Sequence, residues 1–161
     1  MSSPTPPLDA TRPAVGFIGL GNMGSGMTRN LQAAGFPLVV TDVRRESADE
    51  LVAGGARWAD TPREVAESSD LVITMLPTPK IVADVAAGAD GLVAGLPDGG
   101  TWIDMSTSVP EVQAGVRAAE EGRGLHLLDA PVSGMSVGAA DGMLQIFVGG
   151  DAVKWLRDGL G

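Results

Sequence analysis

The sequence predicts an α/β fold with a doubly wound, mostly parallel sheet. Short apolar segments alternate with amphipathic or alanine-rich ones, which is the pattern of repeated βαβ units. A glycine-rich turn, residues 19–24, joins the first apolar segment to the first amphipathic one. The chain has 161 residues, of which 44% are hydrophobic, so it is long enough to bury a sizeable core. A single globular domain is therefore expected over residues 14–161.

The elements are expected to alternate along the chain after a flexible lead-in, residues 1–13, which is rich in Ser, Pro and Thr. Apolar β-prone segments predict strands near residues 14–19, 38–42, 57–59, 71–76, 101–104, 125–129 and 144–148. Helices are expected near residues 23–34, 46–53, 62–67, 80–87, 109–122 and 151–157.

Capping signals support three of the helix boundaries. Thr61 precedes Pro62, with Glu64 at the third helical position, which is a helix start signal. Ser108 is expected to cap the helix that follows in the same way. Gly35 is expected just past the end of the first helix, where glycine adopts the left-handed conformation without a steric penalty.

The glycine turn carries the Gly-x-Gly-x-x-Gly spacing of a dinucleotide-binding fingerprint. It comprises Gly19, Leu20, Gly21, Asn22, Met23 and Gly24, between a predicted strand and a predicted helix, as the fingerprint requires. The first glycine permits a tight turn, the second a close approach of a pyrophosphate, and the third close packing of helix on strand. The helix N-terminus then offers N–H groups to phosphates. The pattern predicts a Rossmann-type cofactor domain.

An acidic residue follows the second strand at nearly the expected distance. Asp42 lies 18 residues after Gly24, where a carboxylate binds the ribose 2′-hydroxyl of NAD and repels the 2′-phosphate of NADP. Arg44 and Arg45 come next and favour that phosphate instead. The residues thus favour NAD and leave NADP open. An alternative is that Asp42 only caps the next helix and that the two arginines are solvated.

Composition excludes several classes of function. A net charge of −9 argues against binding to nucleic acid or to an anionic membrane surface. No apolar segment is long enough for a membrane span, so a cytoplasmic protein is expected. The chain has no cysteine, which removes disulfides and thiolate nucleophiles. With a single histidine, His126, it has no histidine cluster for a metal.

Polar segments follow several predicted strands. They are residues 76–78, 105–108 and 129–134. In a parallel sheet the ligand lies beyond the carboxyl ends of the strands, so these segments are expected to share one cleft.

These residues together resemble the β-hydroxyacid dehydrogenases, a family that includes 3-hydroxyisobutyrate dehydrogenase, tartronate semialdehyde reductase and 6-phosphogluconate dehydrogenase. The similarity covers about residues 15–150 and is greatest to 3-hydroxyisobutyrate dehydrogenase. It rests on the glycine turn with Met27, Asn30 and Leu31, on Asp42-Val43, and on three further motifs. These are Met75-Leu76-Pro77, Asp104-Met105-Ser106-Thr107, and Asp129-Ala130-Pro131-Val132-Ser133-Gly134 with Gly138-Ala139.

The resemblance implies a role for each motif. The glycine turn would bind the pyrophosphate, and Asp42 the adenosine ribose. Leu76 and Pro77 would line the nicotinamide side, with Thr107 near its ribose. Ser133 and Gly134 would bind the carboxylate or hydroxyl of the substrate.

The chain departs from the family pattern in two ways. A second glycine usually follows the Ser-Gly pair, and here that residue is Met135. The family's catalytic lysine lies on a later helix, beyond residue 161, and neither Lys80 nor Lys154 matches its motif. The family's C-terminal all-helical domain is likewise expected to be absent from these 161 residues.

The resulting hypothesis is the NAD-binding domain of a dehydrogenase that oxidises a 3-hydroxy acid to its semialdehyde. The chain alone is expected to bind cofactor without efficient turnover. A homo-oligomer or a partner chain is expected to cover the face that a second domain would cover. Two alternatives remain: a dinucleotide-binding or interaction module without chemistry, and the cofactor domain of an imine reductase.

Overall fold

A computed structural model describes residues 12–119 and 122–149. Its main feature is a sheet of six parallel strands in the order β3-β2-β1-β4-β5-β6. The strands are β1 (Val15–Ile18), β2 (Leu38–Thr41), β3 (Arg57–Trp58), β4 (Leu71–Thr74), β5 (Thr101–Asp104) and β6 (His126–Asp129). Along the chain the sheet grows from β1 to one edge and then from β4 to the other, which is the doubly wound order that was predicted.

Helices connect the strands and cover both faces of the sheet. They are α1 (Asn22–Ala33), α2 (Asp49–Ala53), α3 (Pro62–Glu67), α4 (Pro79–Ala86), α5 (Leu92–Gly95), α6 (Pro110–Ala119) and α7 (Met135–Asp141). A 3₁₀ turn, Arg45–Ala48, precedes α2. None of the described helices is both long and apolar enough to cross a membrane.

Two hydrophobic cores form because successive side chains of a strand point to opposite faces of the sheet. Phe17 packs with Met27 and Leu51 on the face of α1 and α2. Ile18, the next residue, packs on the other face with Val65 and Trp102, under α3 to α6. Strands buried on both faces read as continuous apolar segments, which explains why the sequence identified them.

The sheet aligns the carboxyl ends of its central strands. Ile18 pairs in register with Thr41 on one side and with Thr74 on the other. Thr74 in turn pairs with Asp104, and Asp104 with Asp129. The strand order reverses between β1 and β4, and the polar segments after the strands therefore meet at one edge around this point.

The strand expected near residues 144–148 does not join the parallel sheet. The structure has β8 (Gln145–Ile146), which pairs antiparallel with β7 (Val132–Ser133) in a separate two-stranded sheet. The cause is the position of α7, which packs against α1 instead of crossing over to the free edge beside β6. The chain after α7 therefore returns antiparallel, and Gly149 forms a bridge with Asp129.

The helix signals were correct at two of the three expected boundaries. Thr61 Oγ1 accepts a hydrogen bond from the Glu64 N–H at 3.1 Å, and Gly35 follows α1 with a φ of +85°. Ser108 does not cap α6, because its buried hydroxyl has no hydrogen-bond partner among the described residues. The helix expected near residues 151–157 and the lead-in up to residue 11 lie outside the described residues.

The contact between α1 and α7 generates a stability prediction. A Cβ on Gly26 would lie 2.8 Å from backbone atoms of Ala139 and Ala140. Gly26→Ala is therefore expected to separate the two helices and to lower the free energy of unfolding by about 1–3 kcal/mol. Denaturant titration measures the change.

Gly115→Ala in α6 is the matched control, because a Cβ there meets open space. It is expected to raise the free energy of unfolding by about 0.5–1 kcal/mol, since alanine has the higher helix propensity. Equal effects from the two substitutions would contradict the close α1–α7 packing.

Candidate functional site

The glycine turn is held in place by close backbone contacts. Gly19 has a φ of +102°, and a Cβ on it would lie 2.3 Å from the carbonyl oxygen of Met75. A Cβ on Gly24 would lie 1.9 Å from the carbonyl oxygen of Gly19. Gly21 is different, because a Cβ there would meet nothing within 4 Å. The turn itself requires the outer two glycines, and the middle one leaves open space for a ligand.

The N-terminus of α1 opens towards this space. Gly21 is the N-cap residue and makes no side-chain cap bond, and the first turn of α1 contains no acidic side chain. The N–H groups of a first helical turn have no partner within the helix and form the positive end of its dipole. This geometry suits an anion such as a phosphate. The Leu20 side chain is buried in the core, so Leu20 contributes only its backbone to the exposed side of the turn.

Asp42 connects the second strand to the glycine turn. One carboxylate oxygen accepts the Leu20 N–H at 2.7 Å, across 22 residues of sequence. The other oxygen accepts the Arg44 N–H at 2.9 Å, two residues further along the chain. The second bond closes an Asx turn. It is not the helix cap that the alternative predicted, because Arg44 is the N-cap residue of the following 3₁₀ turn and that turn has no side-chain cap bond. Each oxygen retains a further lone pair that can accept a hydrogen bond from a ribose hydroxyl.

A cavity of about 520 Å³ lies at the carboxyl edge of the sheet, beside β1, β2 and β4. It brings together eight of the predicted cofactor residues: Gly19, Gly21, Asn22, Met23, Gly24, Asp42, Leu76 and Pro77. Sequence reasoning did not assign several other residues of the lining, among them Val43, Asp60, Pro62, Met75, Ile81 and Val85. These come from loops, from the start of α3 and from α4, and their approach to the cavity depends on how the helices pack.

Thr107, Ser133 and Gly134 do not line this cavity. Thr107 follows β5 and is exposed, and Ser133 lies in β7, also exposed. Gly134 precedes α7 with a φ of +136°. All three come after β5 or β6 in the chain, but they do not share this cavity with Leu76 and Pro77 as expected. Their contacts with cofactor or substrate remain predictions.

Met135 occupies a backbone position that favours glycine. Its φ is +56°, and no other non-glycine residue among those described has a positive φ. Its side chain is 79% exposed at the start of α7. The glycine that the family resemblance implies at this position would adopt this φ without the penalty that a methionine incurs.

The two arginines after Asp42 have different environments. The guanidinium of Arg45 lies over the Trp58 ring, 4.6 Å from its centroid, and pairs with Asp49 at 3.4 Å. Arg44 lines the cavity beside Asp42. The sequence could not separate these residues, because the difference depends on the position of β3.

Asp129 lies at the same edge as Asp104. Partial burial and the neighbouring Asp104 carboxylate raise the pKa of Asp129. Its backbone N–H and carbonyl both bond to Gly149, at 3.1 and 2.8 Å. These are the two backbone bonds of an isolated antiparallel bridge. His126, by contrast, is half-buried at the amino-terminal end of β6, away from the carboxyl edge.

The fold and the cavity together define a NAD-binding domain. Residues 14–157 match the family described as the NAD binding domain of 6-phosphogluconate dehydrogenase, and the chain belongs to this family. The cavity fits such a cofactor, because the space left by Gly21 and the open N-terminus of α1 face an acceptor for ribose hydroxyls at Asp42.

Similar proteins support this membership. A probable 3-hydroxyisobutyrate dehydrogenase-like protein of Arabidopsis thaliana is 39% identical over 97% of this chain and 50% of its own length. The NAD-dependent L-serine dehydrogenase of Pseudomonas aeruginosa is 44% identical over 86% of this chain and 46% of its own length.

The structural comparison agrees. The solved 3-hydroxyisobutyrate dehydrogenase of Mycobacterium tuberculosis with L-serine has a TM-score of 0.80 and 37% identity, covering 92% of this chain and 50% of that one. The chain thus spans about half the length of the relatives it matches.

The strain at Met135 can be tested directly. Met135→Gly is expected to raise the free energy of unfolding by up to about 1.5 kcal/mol, because glycine removes a left-handed penalty of about 1–2 kcal/mol and adds about 0.5–1 kcal/mol of entropy cost. Thermal and denaturant unfolding measure the effect.

The neighbouring Ser136→Gly provides the control, because Ser136 is exposed in the same helix without a positive φ. This substitution is expected to cost about 0.5–1 kcal/mol. If Met135→Gly lowers the free energy of unfolding as much as Ser136→Gly does, then Met135 is not strained.

Proposed function

We propose that this chain is the cofactor-binding part of a NAD-dependent dehydrogenase that oxidises a 3-hydroxy acid to its semialdehyde. The observation that carries the proposal is one cavity lined by the glycine turn, Asp42 and the Leu76-Pro77 segment. Support for the reaction class comes from the names of the relatives, 3-hydroxyisobutyrate dehydrogenase and L-serine dehydrogenase. Both names refer to acids that carry a hydroxyl on carbon 3.

The described residues divide the binding of the cofactor between them. First-turn N–H groups of α1 would bind the pyrophosphate, and Asp42 the adenosine ribose. Leu76 and Pro77 form an apolar wall for the nicotinamide, with Thr107 on the ribose beside it. When bound, NAD supplies the hydride acceptor. Ser133 and Gly134 would bind the substrate carboxylate through a hydroxyl and a backbone N–H.

Oxidation of the hydroxyl also needs a base to accept its proton. Lys80 does not fit this role, because its ammonium pairs with Asp84 at 2.6 Å and its side chain is 82% exposed. We propose that the base is a lysine outside this sequence, as the family resemblance implies. The 161 residues alone would then bind cofactor without efficient turnover.

We also propose that another protein surface covers the exposed apolar side chains around β8. Apolar side chains are exposed around β8, including Met143 at 75%, Ile146 at 51% and Phe147 at 59%. A second copy or a partner chain would cover them. We also propose a cytoplasmic location.

Two alternatives lead to different observations. A module without chemistry would bind the cofactor but show no dehydrogenase activity. This would hold even when the chain is joined to a C-terminal helical domain that carries the family's lysine. An imine reductase would, in the same joined form, reduce cyclic imines and leave hydroxy acids unchanged. Oxidation of a 3-hydroxy acid by the joined protein would support the dehydrogenase.

Calorimetric titration of the chain with NADH tests the cofactor site. The wild-type chain is expected to bind, and Gly21→Ala is expected to lower the affinity at least about tenfold, because a Cβ would occupy the space of the pyrophosphate. The substitution should cost less than about 1 kcal/mol of stability, since alanine at an N-cap is only moderately worse than glycine.

Gly115→Ala serves as the control and should bind NADH like wild type, because Gly115 lies in α6, outside the cavity lining. If the wild-type chain binds NADH and Gly21→Ala binds it equally well, the cofactor lies elsewhere and the proposal is contradicted.

Arg44 and Arg45 are expected to contribute differently to the binding of NADPH. Arg44→Ala is expected to weaken NADPH several-fold more than NADH, because Arg44 is the arginine beside the ribose position. Arg45→Ala is expected to leave the ratio of the two affinities unchanged, because Arg45 is placed over Trp58. Titrating both variants with both nucleotides measures the ratio, and a larger shift for Arg45→Ala would reverse the assignment.

A further inference from the structure

We infer that Asp104 is a positioning residue for the nicotinamide end of the cleft, acting through Ser106 on the Leu76-Pro77 wall. The inference deepens the proposed function and rests on it. None of the three hydrogen-bonding groups involved, at Asp104, Thr74 and Ser106, was predicted to contact cofactor or substrate. All three side chains are buried, and they connect two neighbouring strands at the carboxyl edge.

The first part of the connection is a directed hydrogen bond. Trp102 Nε1 donates to Thr74 Oγ1 at 2.9 Å, and an indole N–H can act only as a donor. The Thr74 oxygen is therefore the acceptor, and its own proton is free to point at Asp104. Thr74 Oγ1 donates to Asp104 Oδ1 at 2.8 Å. The carboxylate is thus fixed by the neighbouring strand.

The second part transmits this position to the cleft. Asp104 Oδ1 also accepts the Ser106 N–H at 3.1 Å, which turns the chain directly after β5. Ser106 Oγ in turn accepts the Leu76 N–H at 2.9 Å. Leu76 and Pro77 line the cavity. The wall at the nicotinamide end is therefore anchored to the strand beside it through one buried serine.

The third observation concerns the free-energy cost of burying the Asp104 carboxylate. Asp104 is fully buried, and its Oδ2 has no hydrogen-bond partner among the described residues. An unsatisfied buried polar atom is expensive, and in native structures each such atom calls for an explanation. Both bonds that fix the loop use Oδ1 alone. A carboxamide oxygen at this position could therefore accept both of them, which makes Asp104→Asn an informative variant.

The hydrogen bond from Ser106 reaches the cleft at Leu76, which is the nicotinamide end. The pyrophosphate end is the glycine turn, which packs against the Met75 carbonyl and has a bond of its own, from the Leu20 N–H to Asp42 on the other side of β1. Loosening the Leu76 wall should therefore weaken the binding of the nicotinamide half and leave the adenosine diphosphate half intact. A merely structural role would affect both halves or neither.

Paired titrations with NADH and with ADP test this difference. Ser106→Ala removes the acceptor for the Leu76 N–H and is expected to lower NADH affinity roughly three- to tenfold, the loss expected for one hydrogen bond. ADP affinity should stay at the wild-type value. Asp104→Ala should act in the same direction, and Asp104→Asn should restore NADH affinity, because its carboxamide oxygen can accept both hydrogen bonds.

Ser69→Ala is the matched control. Its hydroxyl also makes one partly buried hydrogen bond, to the Val65 carbonyl oxygen at 2.7 Å, and lies outside the cavity lining. It should change neither affinity.

Since Asp104→Ala removes a buried group and can fail to fold, the decision rests on Ser106→Ala and Asp104→Asn. Equal losses of NADH and ADP affinity in Ser106→Ala, or no loss of either, would overturn the positioning role. A wild-type chain that binds neither nucleotide would overturn the proposed function, and this inference with it. Wild-type binding of both, with no selective loss in Ser106→Ala, would overturn the inference alone.

Discussion

The contact on which the rest of the site depends is the approach of α1 to the turn that precedes it. At Gly24 the helix passes so close to the Gly19 carbonyl that a Cβ would lie 1.9 Å from its oxygen. This approach places the N-terminus of α1 directly over the carboxyl end of β1. The dipole and the N–H groups of the helix then face the cleft, a geometry that suits a phosphate. Any side chain at this position would displace the helix from the strand.

Neighbouring strands maintain that arrangement from both sides. Asp42, after β2, bonds to the Leu20 N–H inside the turn, and the Met75 carbonyl, after β4, closes against Gly19. The cleft therefore depends on three parallel strands being in register, and each supplies a backbone or side-chain contact at its carboxyl end. Further along the edge, the Asp104 connection does the same for the Leu76 wall. Asp42 and Asp104 thus both act as acceptors for backbone N–H groups at this edge.

The sequence predicted those parts of the structure in which local chemistry decides the outcome. The six parallel strands, the Thr61 cap and the glycine turn all follow from apolar segments or from the conformational demands of single residues. The sequence did not predict α5, because its four residues are too short for a helical period, or the antiparallel pairing of β8. That pairing follows from the packing of α7 on α1, a contact between residues more than a hundred positions apart. The separation of Arg44 from Arg45, and the role of Asp104, depend in the same way on neighbours that come together only in the fold.

We propose that this edge of the sheet is a preformed NAD site with its pyrophosphate on α1. A crystal structure of the chain grown with NADH would show where the cofactor lies. We expect the pyrophosphate against the N–H groups of the first turn of α1, a ribose hydroxyl at Asp42, and the nicotinamide beside Leu76 and Pro77. The backbone of the glycine turn should not differ from that of the free chain. NADH bound at another face, or a turn that rearranges to admit the pyrophosphate, would show that the site is not the preformed one proposed.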